Sequence, residues 1–228
     1  MSRVVGVVPA AGFGTRLAGS WEGSKEAVPV RGRPVIDYLL DHLRIAQPEL
    51  IRVVTRVAKQ DLVDHLGPLG VEVVFGEPAD VAASLSLGIA GLADDDLVVS
   101  GFPDTVWGPA NGMTRLLGAL EVDPLRQVAL GLFQVADVTA CDEVVVEADE
   151  MGLTVVSVRP KPTDPVSDIT WGCLAARAGA LRALSGVSEP GELWDRMAQE
   201  EPGSVVGLHL GRDFVDVGTP EGLARASR

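Results

Sequence analysis

The chain has 228 residues, 46% of them hydrophobic, and 32 acidic against 19 basic side chains give it a formal net charge of −13. So acidic a surface repels nucleic-acid backbones and anionic membranes, and no apolar run approaches the roughly 20 residues of a membrane span. The start MSRVVGVV lacks a basic leader and a cleavage pattern, and two cysteines, Cys141 and Cys173, are too few for a disulfide framework. A cytoplasmic protein with free thiols and no nucleic-acid or membrane partner is therefore expected.

Residues 4–8 form an almost continuous β-branched run, the pattern of a strand buried on both faces of a parallel sheet. Residues 34–45 (PVIDYLLDHLRI) carry apolar positions at helical spacing behind a first-turn proline, and 51–55 (IRVVT) reads as the next strand. A helix over 59–66, a strand over 71–75, a helix opened by Asp80 as N-cap and running to 92, and a strand over 97–100 continue the alternation. The second half is richer in strands, at 127–133, 142–147 and 153–158, with a hairpin turn at 148–152. A strand over 169–175, short helices near 179–184 and 192–199, strands over 204–210 and 214–217, and a helix opened by Thr219-Pro220 complete the reading.

This order predicts an α/β fold: a single Rossmann-like domain over 1–228 with a mostly parallel central sheet, helices on both faces and an inserted β-rich region. Residues 1–110 would form its nucleotide-binding half and 111–228 its sugar-phosphate half. Ligands are expected at the carboxyl ends of the strands. There the stretch VVPAAGFGTRL ends the first strand in a two-glycine turn, Ala10, Ala11, Gly12, Phe13, Gly14 and Thr15, followed by Arg16. A dinucleotide fingerprint would need a third glycine where Leu17 stands, which weighs against a nicotinamide-dependent oxidoreductase, and no G-x-x-x-x-G-K-[ST] loop occurs. Exposed turn amides beside a fixed cation suit a polyphosphate.

The run PAAGFGTRL, then SKEAVPV, then GRPVIDYLLDHL resembles the sugar-1-phosphate nucleotidyltransferases, in particular the glucose-1-phosphate thymidylyl- and uridylyltransferases. The resemblance implies that the turn over residues 10–15 wraps a nucleoside triphosphate while Arg16 and Lys25 neutralise its phosphates. It implies that Asp104, after the strand LVVSG, and Asp216, in DVGTPEG, bind a catalytic Mg²⁺. It also implies that Lys161, in RPKP, meets the sugar phosphate and the reacting α-phosphate. Trp171 and Gly172 resemble the family's sugar-pocket strand, although a strand tryptophan also suits a core. Two departures touch specificity. The segment DVAASL offers no amide to read a base, and Pro160 replaces the glutamate that often precedes the lysine-proline pair. The third lysine, Lys59, reads as a solvated helix face.

The resulting expectation is Mg²⁺-dependent transfer of a nucleoside monophosphate from dTTP or UTP to a sugar 1-phosphate, with release of pyrophosphate. A phosphonate, phosphocholine or isoprenoid-precursor phosphate is the alternative acceptor, and a non-catalytic nucleotide-binding module the alternative role. Homo-oligomerisation is left open by the sequence.

Overall fold

A computed structural model describes residues 2–14, 17, 21–149 and 152–227. The first strand, β1 (Val4–Pro9), is followed by a small ribbon, β2 (Pro29–Val30) and β3 (Arg33–Pro34), and by α1 (Ile36–Ile45). Strand β4 (Leu50–Thr55), α2 (Gln60–Leu66), β5 (Glu72–Phe75), α3 (Val81–Gly88) and β6 (Leu97–Gly101) alternate as the apolar pattern predicts. Strand β7 (Thr105–Trp107) and α4 (Gly112–Glu121), both unforeseen, lead into β8 (Val128–Gln134), β9 (Asp142–Asp149), β10 (Gly152–Pro160) and β11 (Ile169–Arg177). Helices α5 (Ala178–Leu181) and α6 (Pro190–Glu200), strands β12 (Val205–Gly211) and β13 (Phe214–Asp216), and helix α7 (Pro220–Ala226) close the chain.

Among the described residues, nine strands form one sheet in the order β5-β4-β1-β6-β11-β8-β12-β10-β9. The first four are mutually parallel. Beyond β6 the expectation of a mostly parallel sheet needs correction. Strand β11 lies antiparallel between β6 and β8, β12 runs parallel to β8, and the β9–β10 hairpin is antiparallel. The hairpin was expected, and its turn, residues 150–151, lies outside the described residues. Strand direction changes at β11 because that strand returns from the hairpin without an intervening crossover helix, and antiparallel pairing requires no crossover.

Side-chain alternation along the strands builds two apolar layers. Val5 and Val7 of β1 share one layer with Ala82 and Leu85 of α3 and with the buried Leu193 and Trp194 of α6, whereas Val8 belongs to the other, with residues of α1, α2 and α4. Helix α1 buries Ile36, Leu39, Leu40 and Leu43, the i, i+3, i+4, i+7 stripe of an amphipathic helix. Helices thus cover both sheet faces, as predicted. Each fully buried leucine contributes roughly 1.5–3 kcal/mol through removal of apolar surface from water, so these layers rather than helix propensity hold the elements in place. Both predicted side-chain caps form: Asp80 accepts the amide of Ala83 at 2.8 Å, and the Thr219 hydroxyl accepts that of Gly222 at 3.0 Å. Cys173 is a buried free thiol.

The chain runs outward from β1 to β4 and β5, then returns to β6 on the other side of β1. Loops leaving β1 and β6 therefore diverge at their carboxyl ends and leave a crevice, the place where open α/β sheets bind ligands.

Candidate active site

The crevice is lined by the loop after β1 (Ala11, Gly12, Phe13), by Lys25, by the start of α3 and by Phe102-Pro103-Asp104 after β6. Among the described residues, the backbone N–H groups of Gly12, Phe13 and Gly14 donate to no protein acceptor, and Gly12 and Phe13 are exposed. Groups of this kind are obligatory donors, and a turn that presents several at once makes an anion-binding concavity. Gly14 has φ +67°, and a β-carbon there would sit 3.2 Å from the Cβ of Lys25. Glycine is needed both for the left-handed turn and for the lysine stem that lies along it. Thr15 and Arg16, the other residues expected to hold phosphate, lie outside the described residues.

Lys25 stands in a single 3-10 turn, Lys25–Ala27, and its Nζ donates to Asp104 Oδ2 at 2.7 Å. Asp104 is 5% exposed, so this carboxylate is directed inward from the strand end rather than solvated as a loop acid. Strand β13 pairs with β7 in a register that sets Asp216 opposite Thr105, and the amide of Val217 donates to the Asp104 carbonyl at 2.8 Å. The two aspartates, 112 positions apart in sequence, are thereby brought to neighbouring places on one two-stranded ribbon. The Asp216 carboxylate also accepts the amide of Gly218 at 2.7 Å. A β-carbon on Gly222 would fall 1.6 Å from the Asp216 carbonyl oxygen, so the final glycine of GTPEG lets α7 start directly against this aspartate.

The residues expected on the acceptor side are arranged differently. Lys161 holds a left-handed backbone, φ 45°, at the end of β10, and its ammonium pairs with Glu189 Oε1 at 3.1 Å. It does not line the crevice around Gly12. Trp171 is buried in the core, packed on Phe102 and Trp194, with its indole N–H donated to Asp142 at 2.9 Å. Gly172 lies beneath Phe133 and Phe214, and its carbonyl accepts the amide of Phe102 at 3.4 Å. The pair Trp171-Gly172 therefore supports the Phe102 wall of the crevice from behind, and the reading of Trp171 as an open sugar contact gives way to its core alternative. Burial also raises the Asp142 carboxyl, an effect the Trp171 hydrogen bond opposes.

Three residues that sequence reasoning missed stand out. Lys59 is not a solvated face, since its ammonium is almost buried and donates to the Ala10 carbonyl at 2.8 Å and to both oxygens of Glu26 at 2.9 and 2.7 Å. Arg56, also buried, donates to the carbonyls of Ala11 and Pro78, each at 2.6 Å, pairs with Glu77 and lies 4.1 Å over the Phe13 ring. Ser84, on the α3 face that lines the crevice, has a buried hydroxyl with no partner among the described residues. The proximity of Arg56 and Lys59 to the end of a strand was the available signal for the first two. Ser84 lies in the helix where an amide was sought and not found.

The sequence profile of the MobA-like NTP transferase domain matches residues 6–131, which include the glycine loop, Lys25 and Asp104. Over 131 residues the chain is 30% identical to 2-C-methyl-D-erythritol 4-phosphate cytidylyltransferase of Laribacter hongkongensis, covering 55% of this chain and 56% of that protein. Over 224 residues it is 27% identical to the bifunctional protein GlmU of Rhizorhabdus wittichii, covering 95% of this chain and 46% of that one. The chain thus spans about half the length of these curated relatives. Similar solved structures include a Bacillus anthracis protein assigned as a glucose-1-phosphate thymidylyltransferase, solved with sucrose. It has a TM-score of 0.85 at 18% identity over 98% of this chain and 94% of that one. UTP-bound UDP-glucose pyrophosphorylase of Acinetobacter baumannii gives 0.77 at 18% identity over 100% and 92%. At such identities these structures show a common fold.

Proposed function

We propose an activity for a chain that belongs to the MobA-like NTP transferase domain family: it transfers a nucleoside monophosphate from a nucleoside triphosphate to a phosphorylated acceptor, with release of pyrophosphate. The observation that carries this reading is the meeting, at the β1–β6 crevice, of loop amides with no acceptor among the described residues, the Lys25 ammonium and the buried Asp104 carboxylate. The amides and Lys25 suit a triphosphate, and Asp104 with Asp216 suits a hard cation. No group of three or more His, Cys, Asp or Glu side chains able to hold a metal occurs among the described residues. A pair of carboxylates completed by phosphate oxygens and water fits Mg²⁺, which keeps much of its hydration and binds few protein ligands. When bound, Mg²⁺ supplies charge neutralisation at the reacting phosphates.

The acceptor phosphate is already ionised at neutral pH, so the chain needs no general base. One of its oxygens forms a bond to the α-phosphorus while the bond from that phosphorus to the bridging oxygen breaks, and pyrophosphate leaves with the electron pair. The work of the protein is positioning and charge compensation. Lys25 and Asp104 compensate each other in the free crevice; ligands divide them, Asp104 to the cation and Lys25 to the phosphates. The Ser84 hydroxyl is available to hydrogen-bond the nucleoside. Arg16 adds a cation to the triphosphate, and Lys161 serves the acceptor phosphate once released from Glu189.

For the acceptor we favour a sugar 1-phosphate and for the nucleotide dTTP or UTP, on the strength of the DVGTPEG motif and the proline-containing opening VVPAAGFGTR. Likeness to a cytidylyltransferase named for 2-C-methyl-D-erythritol 4-phosphate favours a second reading with CTP and a non-sugar phosphate. A matrix of the common nucleoside triphosphates against sugar 1-phosphates and other phosphorylated alcohols, with Mg²⁺ and mass detection of products, separates the two. A blank matrix with measurable triphosphate binding would support instead a nucleotide-binding module.

A further inference from the structure

We propose that Lys59 is a positioning residue that fixes the phosphate-binding loop and Lys25 relative to each other; this rests on the reading of the crevice as a triphosphate site. Its ammonium has three N–H groups, and all three are used: one on the carbonyl of Ala10, where the loop leaves β1, and two on the carboxylate of Glu26. Glu26 is 0% exposed and immediately follows Lys25. One interior cation therefore ties together the two proposed phosphate-binding segments through Ala10 and Glu26, 16 positions apart in sequence.

The surrounding bonds point the same way. Asp61, two residues after Lys59 and within α2, accepts both the amide and the hydroxyl of Ser24, at 2.7 and 2.6 Å. Lys25 is thus bracketed by tethers on both neighbours, Ser24 and Glu26, each made by the start of α2. On the loop side, the Thr55 hydroxyl also donates to the Ala10 carbonyl and Arg56 donates to that of Ala11. With the Ala10 and Ala11 carbonyls held by donors beneath the loop, the amides that follow remain for the crevice. Lys59 itself has no donor left for a ligand, which separates its role from that of Lys25. A buried ion pair is weak evidence for stability, since desolvation offsets much of the attraction, so a pair in this location is better explained by geometry.

The test uses the full chain and inorganic tripolyphosphate with Mg²⁺ as the probe, with binding followed by calorimetry. The double variant Glu26→Gln/Lys59→Met removes the tie without stranding a buried charge. It should keep a cooperative thermal transition and bind tripolyphosphate roughly 10- to 100-fold more weakly, the range of losing hydrogen bonds to a charged group. In turnover assays with the substrates found by the matrix, the loss should appear in KM for the nucleotide and leave KM for the acceptor unchanged. Lys59→Arg, which keeps a cation opposite Glu26 and strands neither partner but changes the geometry of the bond to Ala10, is the second variant should the double one not fold, and it should fall between that variant and wild type. Binding as tight as wild type in a folded double variant, or in Lys59→Arg where only that variant folds, overturns the positioning role and leaves the site intact. Failure of the wild-type chain to bind tripolyphosphate overturns the triphosphate site and this inference with it.

Discussion

The proposed nucleotide and acceptor sites hold their cations in opposite ways. On the nucleotide side, Lys25, Arg56 and Lys59 are largely shielded from solvent, and Arg56 and Lys59 grip backbone carbonyls of the very loop they support. On the acceptor side, Lys161 is 60% exposed and paired with a partly exposed glutamate on a different element. On that reading the nucleotide site is built before any ligand arrives, whereas the acceptor site must exchange one ion pair for another. Preorganised electrostatics lose most when a single member is removed, while exposed ion pairs contribute little.

That contrast can be broken by experiment. The largest effect is expected for Asp104→Asn and Asp216→Asn, which should each lower magnesium-dependent pyrophosphate release by roughly 10²-fold or more. A rate near wild type in either variant removes that aspartate from the site. Lys161→Ala should cost less, about tenfold, and mainly in KM for the acceptor, because its ammonium contributes one charge-assisted contact. An equal loss in nucleotide binding would show that the two sites are not separate.

The third effect is on stability rather than rate. Burial raises the Glu26 carboxyl above its ordinary value of 4.5, a shift that Lys59 opposes. Between the ordinary and the raised value the folded chain keeps a proton that the unfolded chain has lost, so this contribution is complete below 4.5 and is lost as pH rises through the raised value. Thermal melts across that window should therefore show a flatter decline, or a steeper gain, for Glu26→Gln than for wild type; parallel curves would mean that Glu26 does not titrate as its burial requires. The smallest change is predicted for Glu189→Gln. Freeing Lys161 from an exposed pair should alter acceptor KM by no more than about fivefold, downward, with the melting temperature nearly unchanged. A large rise in KM would instead make Glu189 part of the acceptor site.

Much of the architecture was legible because its signals are local. The β-branched run of β1, the apolar stripe of α1, Asp80 and Thr219 as caps, and the strand-ending position of Asp104 all depend on residues within a few places of one another. The missed helix α4 follows the same spacing rule, with Met113, Leu116 and Leu120 buried, and was readable in principle. Lys59 was not, because whether a lysine on a short helix faces water or a carboxylate depends on a partner 33 residues away. Trp171 likewise could be core or contact until Phe102, Trp194 and Asp142 were placed around it.

By itself the sequence determined the alternation of strands and helices, the glycine turn at the end of β1 and the inventory of phosphate- and metal-suited side chains, since these follow from backbone preferences and hydrophobic period along the chain. Only the tertiary structure decided that β11 enters the sheet antiparallel, that β7 and β13 pair to bring Asp104 beside Asp216, and that Lys59 lies under the loop. The reason is physical: strand partnership and burial are settled by hydrogen bonds and packing between segments far apart in the chain, and no local pattern encodes which distant segment will supply them.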